Sequence, residues 1–162
     1  MDYTIVDATV ADAELVAALV RESFADVAER FGLTPENSPR HPSNCTPEWI
    51  HAALAKGVRY YVLQTPQGPA GCVALEQANA DVCYLERLAV LPAFRRRGFG
   101  EALVEHAIAK ARELGVRGVE LGMVAAQAEL RRWYEKLGFS VTTTVLFEGT
   151  LFEVAFMRRV LT

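Results

Sequence analysis

The sequence has few cysteines, few histidines, no long basic run and no long apolar run. Its three cysteines, Cys45, Cys72 and Cys83, contain no C-x-x-C pair and leave one thiol over, which excludes a disulfide framework and a zinc knuckle. The three histidines, His41, His51 and His106, are scattered. His41 and Cys45 are spaced to share a metal but lack a third ligand, so no metal is expected. The longest basic run is Arg95, Arg96 and Arg97, and 17 Lys plus Arg are set against 20 Asp plus Glu. A broad basic face for nucleic acid or a membrane surface is therefore not expected. No apolar stretch approaches the roughly 18 residues of a membrane span, and MDYTIVDATV lacks the features of a secretory signal. A reducing, cytoplasmic setting is the expectation.

What is present is enough for one core. Of 162 residues, 51% are hydrophobic, and no linker, repeat or low-complexity tract divides them, so residues 1–162 are read as a single domain. Residues 2–9 suit a strand, and Thr9 followed by Asp12 resembles the cap of a helix running to Phe31. That helix carries Leu15, Val16, Leu19, Val20, Phe24 and Val27 on one stripe. Residues 32–47 hold four of the seven prolines and no periodicity, which predicts a structureless, functional loop. Within it, His41 has the best chance of meeting a substrate. Pro47 at a first helical position opens a second helix ending near Gly57.

From Val58 the period becomes two. Strands are expected at 58–65, 70–77 and 82–90, then a helix over 98–114, a strand over 116–124, a helix over 128–137, and closing strands over 139–147 and 150–160. The order is that of an α/β domain with a mixed sheet of about seven strands flanked by about four helices. Cys72 and Cys83 fall on strands and read as small buried apolar residues.

The stretch FRRRGFG, residues 94–100, contains the first four letters of an RNA-recognition signature. That signature needs a strand and aromatic continuation, whereas here the sequence continues Glu101-Ala102-Leu103-Val104. Phe99, Leu103, Ala107, Ala111 and Leu114 form a helical stripe instead, with Gly115 in the place of a C-terminal cap. What remains is a strand, a tight Arg/Gly turn and a helix start. Unpaired N–H groups and a partial positive charge make that a seat for a pyrophosphate, and glycines let it approach closely.

YLERLAVLPAFRRRGFGEALVEHAIAKA resembles the acyl-CoA-binding motif of the GNAT superfamily of N-acetyltransferases, and QAELRRWYEKLGF resembles that family's second motif. The resemblance spans Tyr84 to Phe139 and implies a GNAT fold whose sheet splays between strands 4 and 5. It implies acetyl-CoA as co-substrate, with the pantetheine arm along Leu88, Ala89 and Val90. It implies main-chain contacts to the pyrophosphate from Arg96, Arg97, Gly98, Phe99, Gly100 and Glu101, with Arg95 in the motif's Q/R position. Tyr134 matches the tyrosine that protonates the departing CoA sulfur; taken alone, it also reads as an aromatic packed with Leu130 and Leu137.

The proton acceptor stays open. Alternation places Tyr84, Glu86, Leu88 and Val90 on one face, so Glu86 is expected near the cleft as catalytic base. Glu120 is a weaker candidate, and a partly neutral amine needs no base at all. The chain departs from the motif at Gln127, where Asn is usual but an amide is retained for cofactor contact, and at Leu130, where Ala is usual. The expected reaction is direct attack by a primary amine on acetyl-CoA in a ternary complex; the alternative is a non-catalytic acyl-CoA sensor. The acceptor is expected between loop 32–47 and residues 143–152. By fold analogy, a homodimer is compatible with this reading.

Overall fold

A computed structural model describes residues 2–149 and 151–162. Strand β1 (Thr4–Asp7) leads through a 3-10 turn into helix α1 (Ala13–Phe31). The Thr9 amide donates to the Asp12 carboxylate at 2.8 Å, so the acidic residue three positions on holds the entry to the helix. Gly32 closes α1 at φ 65°, the left-handed geometry that lets the Leu33 amide reach back to the Ala28 carbonyl. Helix α2 (Pro47–Ala55) follows, then the antiparallel strands β2 (Arg59–Thr65), β3 (Gly68–Gln77) and β4 (Val82–Val90). The remaining elements are helix α3 (Phe99–Glu113), β5 (Gly118–Val124), helix α4 (Ala128–Lys136), β6 (Ser140–Val145) and β7 (Val154–Val160).

The seven strands form one sheet in the order β1-β2-β3-β4-β5-β7-β6. Period-two alternation sorts their side chains into two cores. Tyr61, Leu63, Val73, Leu75, Cys83 and Leu85 pack with the buried stripe of α3, Phe99, Leu103, Ala107 and Ala111. Tyr60, Val62, Cys72 and Ala74 pack on the other face against Val16, Leu19 and Val20 of α1 and Ile50 of α2. All three cysteines are buried and free.

Two irregularities shape the centre of the sheet. Strands β4 and β5 are parallel but pair only at Val82–Tyr84 with Gly118–Glu120. Beyond that point β4 keeps β3 as its partner and β5 keeps β7, so the two strands part and a cleft opens. The second irregularity is a bulge. Cys72 faces Ala89 and Ala74 faces Glu86, so Arg87 and Leu88 oppose Val73 alone, with Arg87 at φ 50°. At the same place Gly71 lies against the Ala89 carbonyl, where a Cβ would have no room.

The bulge corrects the expected alternation. Cys83 and Leu85 pack toward α3 before it, whereas Leu88 and Val90 pack there after it and Ala89 turns to the α1 side. One extra residue exchanges the faces, so Glu86 lies opposite Leu88 and Val90, not beside them. The segment before α2 also differs from expectation. Thr34 and Asn37 exchange side-chain-to-backbone bonds, the Asn44 amide donates to the Ser38 carbonyl, and Pro42–Asn44 forms a 3-10 turn. Local polar bonds order this stretch without helical or strand periodicity. The closing strands are shorter than their composition suggests, leaving residues 146–149 and 151–153 outside the sheet. Thr150, the expected start of the last strand, lies outside the described residues.

Candidate active site

The cleft between β4 and β5 holds two adjoining cavities. The smaller, about 380 Å³, is lined by Leu88, Ala89 and Val90, by Arg95, Arg96, Gly98, Phe99, Gly100 and Glu101, by Trp133, and by Ser23, Phe24, Asp26 and Val27 of α1. The larger, about 920 Å³, is walled by residues 37–42, Leu85, Arg87, Leu121 to Val124, Tyr134, Phe147 to Gly149, Phe152 and Val154. Phe24, Val27, Leu88, Gln127 and Leu130 line both. They form the passage from one to the other.

The smaller cavity ends on a row of free donors. Among the described residues, the backbone N–H groups of Arg96, Arg97, Gly98, Phe99, Gly100 and Glu101 have no protein acceptor; the next one along, Ala102, donates to the Gly98 carbonyl. Gly98 is the N-cap of α3 at φ 82°, and Arg96 also has a positive φ of 63°. These two left-handed residues curl the backbone so that successive amides converge, as in an anion-binding nest, with the helix dipole behind them. Gly100 has a different reason to be glycine: its missing Cβ would stand 3.2 Å from the Trp133 ring.

The three arginines do three different things. The Arg95 guanidinium is held by the Asp26 carboxylate at 2.7 Å and by the carbonyls of Ser23 and Val90. It ties the turn to α1 and to the end of β4, and its hydrogen bonds, then its charge, pull the Asp26 carboxyl below the usual range. Arg97 lies over the Phe94 ring, 5.4 Å from its centroid, and does not line the cavity. Arg96 is exposed at the cavity mouth.

In the larger cavity, Tyr134 packs edge-on to Trp133 and Phe139. Burial pushes its phenol well above the ordinary value, so it stays protonated across neutral pH. His41 is buried in the opposite wall, edge-on to Phe24, with its Nδ1 against Ser43. Burial lowers its pKa and keeps the ring neutral.

Glu86 lines neither cavity. Its carboxyl is raised to about 7, first by burial and then by its neighbour Glu76 on β3. Glu120, the weaker candidate, is paired with Arg158 at 3.0 Å and is likewise absent from both walls. The structure thus brings together Tyr134, Gln127, the residues of β4 after the bulge and the Arg/Gly turn, but not Glu86.

Ser23 to Val27 carry no signal readable from the motifs, being an ordinary helical stretch, whereas Phe147 to Gly149 fall within the 143–152 stretch expected to border the acceptor. Arg87 also carries a signal. A charged pair, Glu86-Arg87, interrupts an otherwise apolar central strand, and that interruption is visible in the residue order itself.

Residues 19–139 match the Acetyltransferase (GNAT) family. The chain is 28% identical over 134 residues to the N-acetyltransferase YjgM of Escherichia coli (strain K12), covering 81% of this chain and 78% of that protein. It is 36% identical over 98 residues to the ribosomal protein bS18-alanine N-acetyltransferase of the same organism, covering 59% of this chain and 66% of that one. The structure of the PaiA N-acetyltransferase from Thermoplasma acidophilum, solved in complex with coenzyme A, superposes with a TM-score of 0.81 at 16% identity, covering 99% and 100% of the two chains. At that identity the likeness is one of fold.

Proposed function

The chain belongs to the GNAT family of acetyltransferases, and we propose that it moves the acetyl group of acetyl-CoA directly to a primary amine in a ternary complex. The observation that carries this reading is the run of six unpartnered amides, 96–101, at the end of a cleft that continues into a second, larger cavity. The pyrophosphate occupies that nest, the pantetheine arm follows Leu88 to Val90 through the gap between β4 and β5, and the thioester reaches the passage at Leu88, Gln127 and Leu130. The amine comes from the larger cavity. Gln127 lines both spaces and supplies an amide to the arm or the acyl group.

Attack by the amine lone pair forms a tetrahedral oxyanion, which collapses by breaking the carbon–sulfur bond. Tyr134 donates to the sulfur as negative charge develops there. A phenol held above its ordinary pKa is always available as a hydrogen-bond donor at neutral pH, while full proton transfer to a thiolate, whose conjugate acid titrates at about 8.5, is uphill and is completed by protonation from water. The amine's own proton is the other half of the balance. Among the described residues only the exposed Glu148 brings a carboxylate to the larger cavity, so the neutral fraction of the amine attacks and its proton leaves to water. Glu86 takes part only if water relays the proton around the strand. Three buried free thiols are in keeping with a cytoplasmic setting.

The test is thiol release from acetyl-CoA across a panel of amines and peptides, beside thermal stabilisation by acetyl-CoA alone. Acceptor-dependent release above hydrolysis supports the transferase. Stabilisation without release from any acceptor refutes it and leaves a sensor of acyl-CoA.

A further inference from the structure

Neither motif accounts for Arg87. Its guanidinium donates to the Tyr60 hydroxyl at 2.5 Å and lies over the Trp49 ring, 5.4 Å from the centroid. It is half-buried, lines the larger cavity, and among the described residues has no carboxylate within 4.0 Å. A guanidinium carries five N–H donors in a planar fork suited to two parallel bonds with a carboxylate, and a half-buried cation is costly without such a partner. Here a phenol and an indole face hold the guanidinium in place, and the adjacent Glu86 carboxyl acts on it only through its charge, without a contact ion pair. The bulge that gives Arg87 its φ of 50° is the same one that opens β4 to the cleft.

The remaining ionisable wall residues leave the cavity with more cations than acids. Arg40 is a second cation, and Glu148 sits on the exposed rim. His41 accepts the Ser43 amide at Nδ1, which leaves the ring proton on Nε2, a further donor. A polyamine or an aminoglycoside would meet two arginines and a single acid here. Resting on the acetyltransfer reading above, we propose that the acceptor is a small amine that also carries an anionic group of the amino-acid carboxylate kind, anchored by Arg87 in the larger cavity.

The experiment compares matched acceptors by CoA release: a set of amino acids, the corresponding amides and the decarboxylated amines, with spermidine as the cationic reference. A carboxylate should raise kcat/KM by about 10- to 100-fold over the amide, the range expected for hydrogen bonds to a charged partner. In Arg87→Met that ratio should fall to about 1, through KM, while Arg87→Lys, which keeps charge but not the fork, should fall between the two. Thermal stabilisation by acetyl-CoA shows that each variant is folded. Equal or better turnover of amides, decarboxylated amines or spermidine, or an unchanged ratio in Arg87→Met, overturns the proposal and leaves the transferase reading standing. Absence of release with every amine removes both.

Discussion

Gly100→Val is the sharpest test of the pyrophosphate nest. Gly100 lies in the first turn of α3, so its backbone tolerates a side chain, and the obstruction is steric. A Cβ would stand 3.2 Å and 3.3 Å from two Trp133 ring carbons and 3.9 Å from a Val90 methyl, and valine adds two methyls beyond it. Overpacking of this kind costs about 1–3 kcal/mol, and Trp133 yields by moving toward the cofactor cavity it lines. The amides beside it then lose alignment. Losing one or two charge-assisted bonds at about 1.5–3 kcal/mol each predicts a Kd for CoA weaker by about 10-fold to over 100-fold. Calorimetric titration of CoA and acetyl-CoA at fixed ionic strength measures it, and thermal unfolding without ligand reads the packing cost separately. Arg97→Ala is the companion, because Arg97 is exposed, rests on Phe94 and does not itself line the cavity. It should change Kd by less than about fivefold, the scale of a solvated charge. If Arg97→Ala weakens CoA more than Gly100→Val does, the nest is not what holds the phosphate.

Tyr134→Phe should lower kcat by about 100-fold or more while leaving the Kd for acetyl-CoA within about threefold, since the hydroxyl acts on the leaving sulfur. Its raised pKa also predicts that kcat shows no loss from phenol ionisation up to pH ~10. Without a dedicated base, kcat/KM for the acceptor should climb about tenfold per pH unit until the amine's own pKa is reached; an inflection near pH 7 that vanishes in Glu86→Gln would instead make Glu86 the base. Asp26→Asn releases the clamp on Arg95 and should weaken acetyl-CoA by a few-fold, as calorimetry would show. Because Asp26 has a lowered pKa in the fold, the wild-type clamp is present above the ordinary carboxyl range and is lost as pH falls through the lowered value.

Glu86 shows where reading from residues stops. Alternation along β4 is a sound rule until an extra residue is inserted, and nothing in Y-L-E-R-L-A-V announces the bulge except a charged pair in an apolar run. Bulges depend on how two strands and their neighbours pack, here on the close passage of Gly71 past Ala89, which joins positions far apart in the chain. Loop 32–47 is a second case. Its order comes from the Asn37 and Asn44 side chains bonding to the nearby backbone of Gly32, Thr34 and Ser38, which leaves no period to detect.

Local rules were enough elsewhere. Periods of two and 3.6, the Thr9–Asp12 and Pro47 helix starts, and Gly98 before the stripe of α3 determine the elements and their order, because each depends on residues within a turn or two of each other. The Arg/Gly turn and the W-Y-E-K segment likewise determine the family. Only the folded chain decides that β4 and β5 part after three residue pairs, that Arg95 is occupied by Asp26 while Arg87 is not occupied by any acid among the described residues, and that Glu86 turns from the cleft. Those outcomes depend on which distant side chains arrive at one place. A charge is neutralised, and a donor satisfied, by neighbours in space.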